Sequence, residues 1–148
     1  MNAIDFLEKD HTGAKKVLGQ ISASSGAKKQ ELFTALKGEL ELHDKIEEEI
    51  FYPSVLSHPN AAGLSAGDEK AHRAVEAALA KLAKLPIEDA AWTPAFNAMQ
   101  ASLVAHIADE EGDLFVKIRQ AVSAADLEAL GVKMSAKKES ELKIKAAL

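Results

Sequence analysis

Six side chains carry the chemistry that this sequence can offer: His11, His43, Glu47, His72, His106 and Glu110. Two pairs, His43 with Glu47 and His106 with Glu110, stand four residues apart. On a helix that spacing turns about 40° and climbs about one turn, so imidazole and carboxylate point the same way. Both pairs interrupt apolar stripes, Leu32, Leu36, Leu40 and Ile50 around the first, Phe96, Met99, Leu103 and Leu114 around the second. His11 and His72 fall on two further stripes, and His58, beside Pro59 in a loop, falls on none. An ionised carboxylate buried without a partner costs several kcal/mol, against a net stability of about 5–15 kcal/mol for a domain. No Lys or Arg shares these stripes at the His and Glu levels, so the pattern calls for a cation. Four imidazoles and two carboxylates suit first-row transition metals. The two carboxylates can each bridge a metal pair while each metal keeps two imidazoles. Open positions then remain for a small exogenous ligand, which favours iron or manganese over a closed structural zinc site.

The elements that must position these donors are helices, because apolar residues recur three or four apart almost everywhere. Helix A is expected from about Asn2 to Ser22, and "SASSGAK" then turns the chain. Helix B is expected over roughly Lys28 to Leu56, with Pro53 kinking or ending it. Ser65 and Asp68 look like an N-terminal capping pair for helix C, which continues to about Leu85. Thr93-Pro94 fits a cap with proline at the first helical position of helix D, although that helix has a rival start near Asp89; it continues to about Val122. A shorter amphipathic segment follows from Ser123, with Leu127, Leu130 and Met134 on its apolar side and a weakly specified lysine-rich end. Together these imply an all-α, antiparallel up-down-up-down four-helix bundle over residues 1–122, with 123–148 a short C-terminal helical extension of the same domain.

The chain repeats itself. With His43 placed over His106, Leu36 falls over Met99, Leu40 over Leu103, Glu47 over Glu110, Glu48 over Glu111 and Phe51 over Leu114, without a gap. His11 likewise falls over His72, Leu18 over Leu79 and Ile21 over Leu82. Two helical hairpins related by a pseudo-twofold would bring equivalent ligands to one central point.

Composition narrows the remaining classes. The 148 residues hold no cysteine, which excludes disulfide scaffolds, thiol nucleophiles and cysteine-ligated clusters. The net charge of −5 and an aromatic content of 5% disfavour nucleic-acid and anionic-membrane partners. Polar residues interrupt every apolar run well before the roughly 18 that a bilayer span requires. The first residues, "MNAIDFLEKD", lack the pattern of a secretion signal, so a cytoplasmic location is expected.

The order His11, His43-x-x-x-Glu47, His72, His106-x-x-x-Glu110, with "FYP" after the second motif, resembles the hemerythrin-like (HHE cation-binding) family in its bacterial single-domain form. The resemblance covers roughly residues 2 to 122 and continues into "SAADLEALGVKM". It implies two iron ions with a bridging oxo or hydroxo group, bridged also by Glu47 and Glu110, with manganese or zinc as possible substitutes. Oxygen-carrying members have a further histidine on the third helix where Asp68 stands here. A carboxylate near iron favours the ferric state, which points away from simple oxygen transport. The branch then resembled is the one linked to nitric oxide and peroxide stress, including iron–sulfur repair proteins and catalase-like members. The implied function is binding of, or reaction with, a small diatomic or peroxide ligand; the alternative is an oxygen- or iron-binding, sensing or storage module without turnover. Asp68 and Glu69 are possible additional ligands, with Glu76 also near. Glu111 matches an acid used by the oxygen carriers, but five residues after His106 it would need a π-bulge, which Gly112 permits, and Glu110 is preferred.

Two other readings compete. "EKDH" and "EKAH" spell the Glu-x-x-His of ferritin-like di-iron bundles, which would make Glu8 and Glu69 primary ligands and leave His43 and His106 spare. Alternatively the bundle is structural, and Leu127, Leu130 and Met134 serve a partner helix. Tyr52 is a candidate phenol beside the site, or a core aromatic before Pro53.

Overall fold

The computed structural model describes residues 1–61, 64 and 68–148, the side chain of Asp68 excepted. Its helices, in chain order, are α1 (Ala3–Ser22), α2 (Gly26–Ile46), α3 (Tyr52–Leu56), α4 (Asp68–Ala83), α5 (Trp92–Asp109), α6 (Phe115–Ala121) and α7 (Ala124–Ala147). Wide π turns join α2 to α3 over Glu47–Phe51 and α5 to α6 over Glu110–Leu114. The chain is all-α, as its periodicity requires.

Local chemistry explains most boundaries. Asn2 caps α1, its Oδ1 accepting from the Asp5 amide at 2.9 Å while its Nδ2 donates to the Asp5 carboxylate at 3.0 Å. Gly26, at φ +59°, adopts the left-handed conformation that turns the chain into α2. Pro53 does not end the second long helix. It lies in the first turn of α3, directly after the π turn, and the helical path continues through it to Leu56. Thr93 is not the cap of α5. The helix starts one residue earlier, at Trp92, because the Asp89 side chain accepts from the Ala91 amide at 2.8 Å and the Asp89 carbonyl accepts from Trp92 at 3.0 Å. Pro94 is then tolerated within the first turn. The expected cap at Ser65 lies outside the described residues. Ser123 caps α7 by accepting from the Asp126 amide at 3.1 Å.

The chain divides into two compact units. The first comprises Met1–Asp10, Leu42–Ala66 and Glu111–Leu148. Its core joins Ile4, Leu7, Ile46, Phe51, Tyr52, Val55, Phe115 and Ile118 to Leu127, Leu130 and Met134 of α7. Phe51 meets Phe115 edge to face at 5.9 Å. Helix α7 approaches the N-terminus so closely at Gly131 that a Cβ there would stand 2.1 Å from the Met1 carbonyl oxygen. A glycine inside a helix costs about 1 kcal/mol of propensity, and here it is what permits the contact. The lysine-rich end of α7 continues as helix to Ala147 because other segments supply its partners. Lys137 pairs with Glu49, Lys138 with Asp10, and Glu141 with Lys45.

The second unit comprises His11–Glu41 and Gly67–Glu110. Leu18, Ile21, Phe33, Leu36, Leu79, Leu82, Phe96, Met99 and Leu103 fill its core. Full burial of each such side chain contributes about 1.5–3 kcal/mol. Trp92 stacks on Phe96 at 5.1 Å and takes the edge of Phe33 at 5.6 Å, which anchors the start of α5.

Candidate metal centre

All six donors are buried, with exposures of 3% for His11, 6% for His43, 0% for Glu47, 2% for His72, 8% for His106 and 1% for Glu110. Such burial is unusual for ionisable groups unless they are paired or bind metal.

The second unit brings four of them together. His11 Nε2 lies 3.1 Å from Glu110 Oε1, and His106 Nε2 lies 3.7 Å from Glu110 Oε2, so the two carboxylate oxygens face two imidazoles. The rings of His72 and His106 meet edge to face at 4.9 Å. Donor atoms of His72, His106 and Glu110 all lie within 4.8 Å of one another. Donors about 2.1 Å from a shared ion are about 3.0–3.4 Å apart at 90–110° and at most about 4.2 Å apart. The 3.1 and 3.7 Å separations fit that range, and the triad needs only small side-chain movements to enclose an ion. The donor set, imidazole nitrogen with carboxylate oxygen and no sulfur, fits a first-row transition metal.

The first unit contributes His43 and Glu47 one helical turn apart, with His43 Nε2 in contact with Glu47 Oε1. The other ring nitrogen, Nδ1, donates to Asp10 Oδ2 at 3.0 Å, and Lys138 Nζ donates to Asp10 Oδ1 at 2.8 Å. Burial pushes the Asp10 carboxyl up, but its bonds to His43 and Lys138 outweigh this and hold it below the usual carboxylate range. Asp10 is therefore an ionised acceptor, which fixes the His43 proton on Nδ1. Burial pulls the His43 imidazole down. The charge on Glu47 and the hydrogen bonds to Asp10 and Glu47 overcome that and place it well above its ordinary value. A place whose field stabilises a proton on imidazole this strongly also attracts a metal cation, which takes the proton's position on the ligand.

Each π turn begins at a donor glutamate, Glu47 or Glu110, and the two turns coincide when the halves of the chain are superposed in sequence. An i→i+5 turn holds an extra residue, so neighbouring side chains diverge less than in an α-helix. That lets Phe51 with Tyr52, and Leu114 with Phe115, all turn into the core of the first unit. The bulge does not exchange Glu110 for Glu111, which is only partly buried.

Glu69 is exposed, and Glu76 pairs with Arg73 at 3.3 Å on the surface of α4. The side chain of Asp68 lies outside the described residues. Glu8, the rival ligand on α1, is partly exposed and pairs with Arg119 at 3.1 Å. Tyr52 is 5% exposed and packs against Phe51 at 5.4 Å, as a core aromatic. Sequence reasoning missed Asp10, Lys138 and the 8%-exposed Asp44. The available signal was adjacency, since Asp10 and Asp44 each neighbour a donor histidine and their counterparts in the repeat are Ala71 and Ile107.

These donors, on an all-α frame with a matching two-halved register, define a protein of the hemerythrin class. Residues 2–118 match the family described as Hemerythrin HHE cation binding domain, and the chain belongs to that family. Among its relatives is the uncharacterized protein Rv2633c of Mycobacterium tuberculosis, 32% identical over 144 residues that cover 94% of this chain and 86% of the relative. An uncharacterized protein of Mycobacterium bovis shows the same identity and coverage. The crystal structure of a hemerythrin HHE cation binding domain-containing protein from Mycobacterium kansasii, a homolog of Rv2633c, is similar with a TM-score of 0.84. It is 29% identical, over 95% of this chain and 86% of that one. No helix among the described residues is long and apolar enough to cross a membrane.

Proposed function

We propose that this chain is a non-heme di-iron protein that binds or reacts with small oxidants, namely peroxide, nitric oxide or dioxygen, in oxidative or nitrosative stress. His11, His43, Glu47, His72, His106 and Glu110 would hold the metal. The observation that carries this reading is the donor set itself: four imidazoles and two carboxylates, at most 8% exposed, in a chain of the HHE cation-binding family.

When bound, an iron pair supplies Lewis-acid and redox chemistry. The chain's own residues set the conditions. Glu47 and Glu110 each offer two oxygens, which suits a carboxylate shared between cations. The histidines present neutral nitrogen donors and leave coordination positions for a diatomic or peroxide ligand. Phe51, Tyr52 and Phe115, which follow Glu47 into the same core of the first unit, would exclude water near that carboxylate and lower the local dielectric. Glu47 and Glu110 stand at the starts of the π turns, so helical backbone rather than a loop would present their carboxylates to a metal.

The test is to load the protein with ferrous iron, then follow peroxide loss optically and oxygen release with an electrode. Iron-loaded protein should consume peroxide with oxygen evolution, and chelated protein should not. Iron-loaded protein that is inert to peroxide and to nitric oxide, and that cycles reversibly with dioxygen, would contradict the reading in favour of carriage.

A further inference from the structure

The last helix reaches His43 through a hydrogen-bonded chain. Lys138 on α7 donates to one oxygen of Asp10, and the other oxygen accepts from His43 Nδ1. The side chains of Asp10 and His43 are 17% and 7% exposed, while Lys138, at 37%, closes the chain at the surface. The ammonium of Lys138 also stands 5.4 Å from the centre of the Phe6 ring, which fixes it from the other side. The residue matching Asp10 in the second half is Ala71, so the aspartate itself is not repeated there.

We propose that Asp10 and Lys138 are positioning residues for the metal centre: Lys138 locks the Asp10 carboxylate, which holds the His43 ring with its Nε2 directed at the metal. This rests on the metal-ligand reading above. A ligating histidine commonly donates its second N–H to a carboxylate, which fixes ring and tautomer and raises ligand basicity. Here the carboxylate is itself held by a cation from the C-terminal helix, so α7 becomes part of the metal-binding apparatus as well as a cover for the core.

The experiment is cobalt(II) titration of the full-length protein, read by ligand-field absorption and by competition with a chelator, alongside thermal unfolding. Losing such an outer partner typically lowers metal affinity by about 10–100-fold. Asp10→Asn and Lys138→Met should each weaken cobalt binding in that direction and change the absorption bands. Lys138→Arg should restore affinity to within about threefold of wild type, since it keeps the cation. Lys143→Met, at an exposed site on the same helix, should have no effect. If the wild-type chain binds cobalt while Asp10→Asn and Lys138→Met keep its affinity and spectrum, the positioning role is wrong and the metal reading stands. The same holds if these variants lose only thermal stability. A wild-type chain that binds no cobalt overturns both.

Discussion

Replacing Glu110 with glutamine removes one charge at nearly constant shape, and the two explanations of that charge predict opposite signs. Glu110 is 1% exposed, with its oxygens 3.1 Å from His11 Nε2 and 3.7 Å from His106 Nε2. If the carboxylate exists to hold a metal, the metal-free protein carries a buried charge that an amide would relieve. The Gln N–H can then donate to His11 Nε2. Glu110→Gln should leave the chelated protein as stable as wild type or stabilise it by up to about 2 kcal/mol, since neutral replacements of buried ionic groups are often neutral or favourable. If the carboxylate instead belongs to an ion pair with protonated histidine, the variant loses a charge-assisted bond, about 1.5–3 kcal/mol. At roughly 3 °C per kcal/mol for a chain of this size, the alternatives differ by several degrees. Metal should reverse the order. Wild type in iron or cobalt at about one hundred times its dissociation constant gains about 2.7 kcal/mol per site, near 8 °C, whereas Glu110→Gln gains little. Thermal unfolding with and without chelator reads both arms. A variant destabilised in chelator and equally stabilised by metal would refute the assignment.

Other outcomes follow from the same geometry. Glu111→Gln should bind metal within about threefold of wild type, because Glu110 and not Glu111 is the buried carboxylate; comparable losses in both variants would mean that the π turn exchanges them in solution. Gly131→Ala places a Cβ 2.1 Å from the Met1 carbonyl oxygen and should cost about 1–3 kcal/mol by overpacking, read as a lower unfolding midpoint; an unchanged midpoint would show that α7 does not dock there. In chelated protein, His43 binds its proton more tightly folded than unfolded. That contribution is complete below about pH 6.5 and disappears as pH rises through the folded value, so the midpoint should fall toward alkaline pH, with a smaller fall in His43→Gln.

The buried imidazole and carboxylate side chains were legible because each pair sits four residues apart on an apolar stripe, and helical periodicity survives in the fold. Local irregularity was legible only near Gly112, and nothing in the sequence signalled the matching π turn that starts at Glu47. The rest was decided by partners distant in the chain. Lys138 reads as a surface residue of a fraying tail until Asp10, 128 residues away, is placed beside it. The same is true of Glu141, whose partner Lys45 is 96 residues away. Thr93 lost its capping role to Asp89 because a side-chain-closed turn after Pro86 started the helix earlier, a competition that spacing alone does not rank.

The most direct test of the account is the metal content of the protein after anaerobic loading with ferrous iron, removal of excess and exposure to air. The proposed ligand set predicts about two irons per chain and the near-ultraviolet absorption of a coupled ferric pair, both lost in Glu110→Gln. Substoichiometric iron with no such absorption, or iron retained unchanged in that variant, would contradict it.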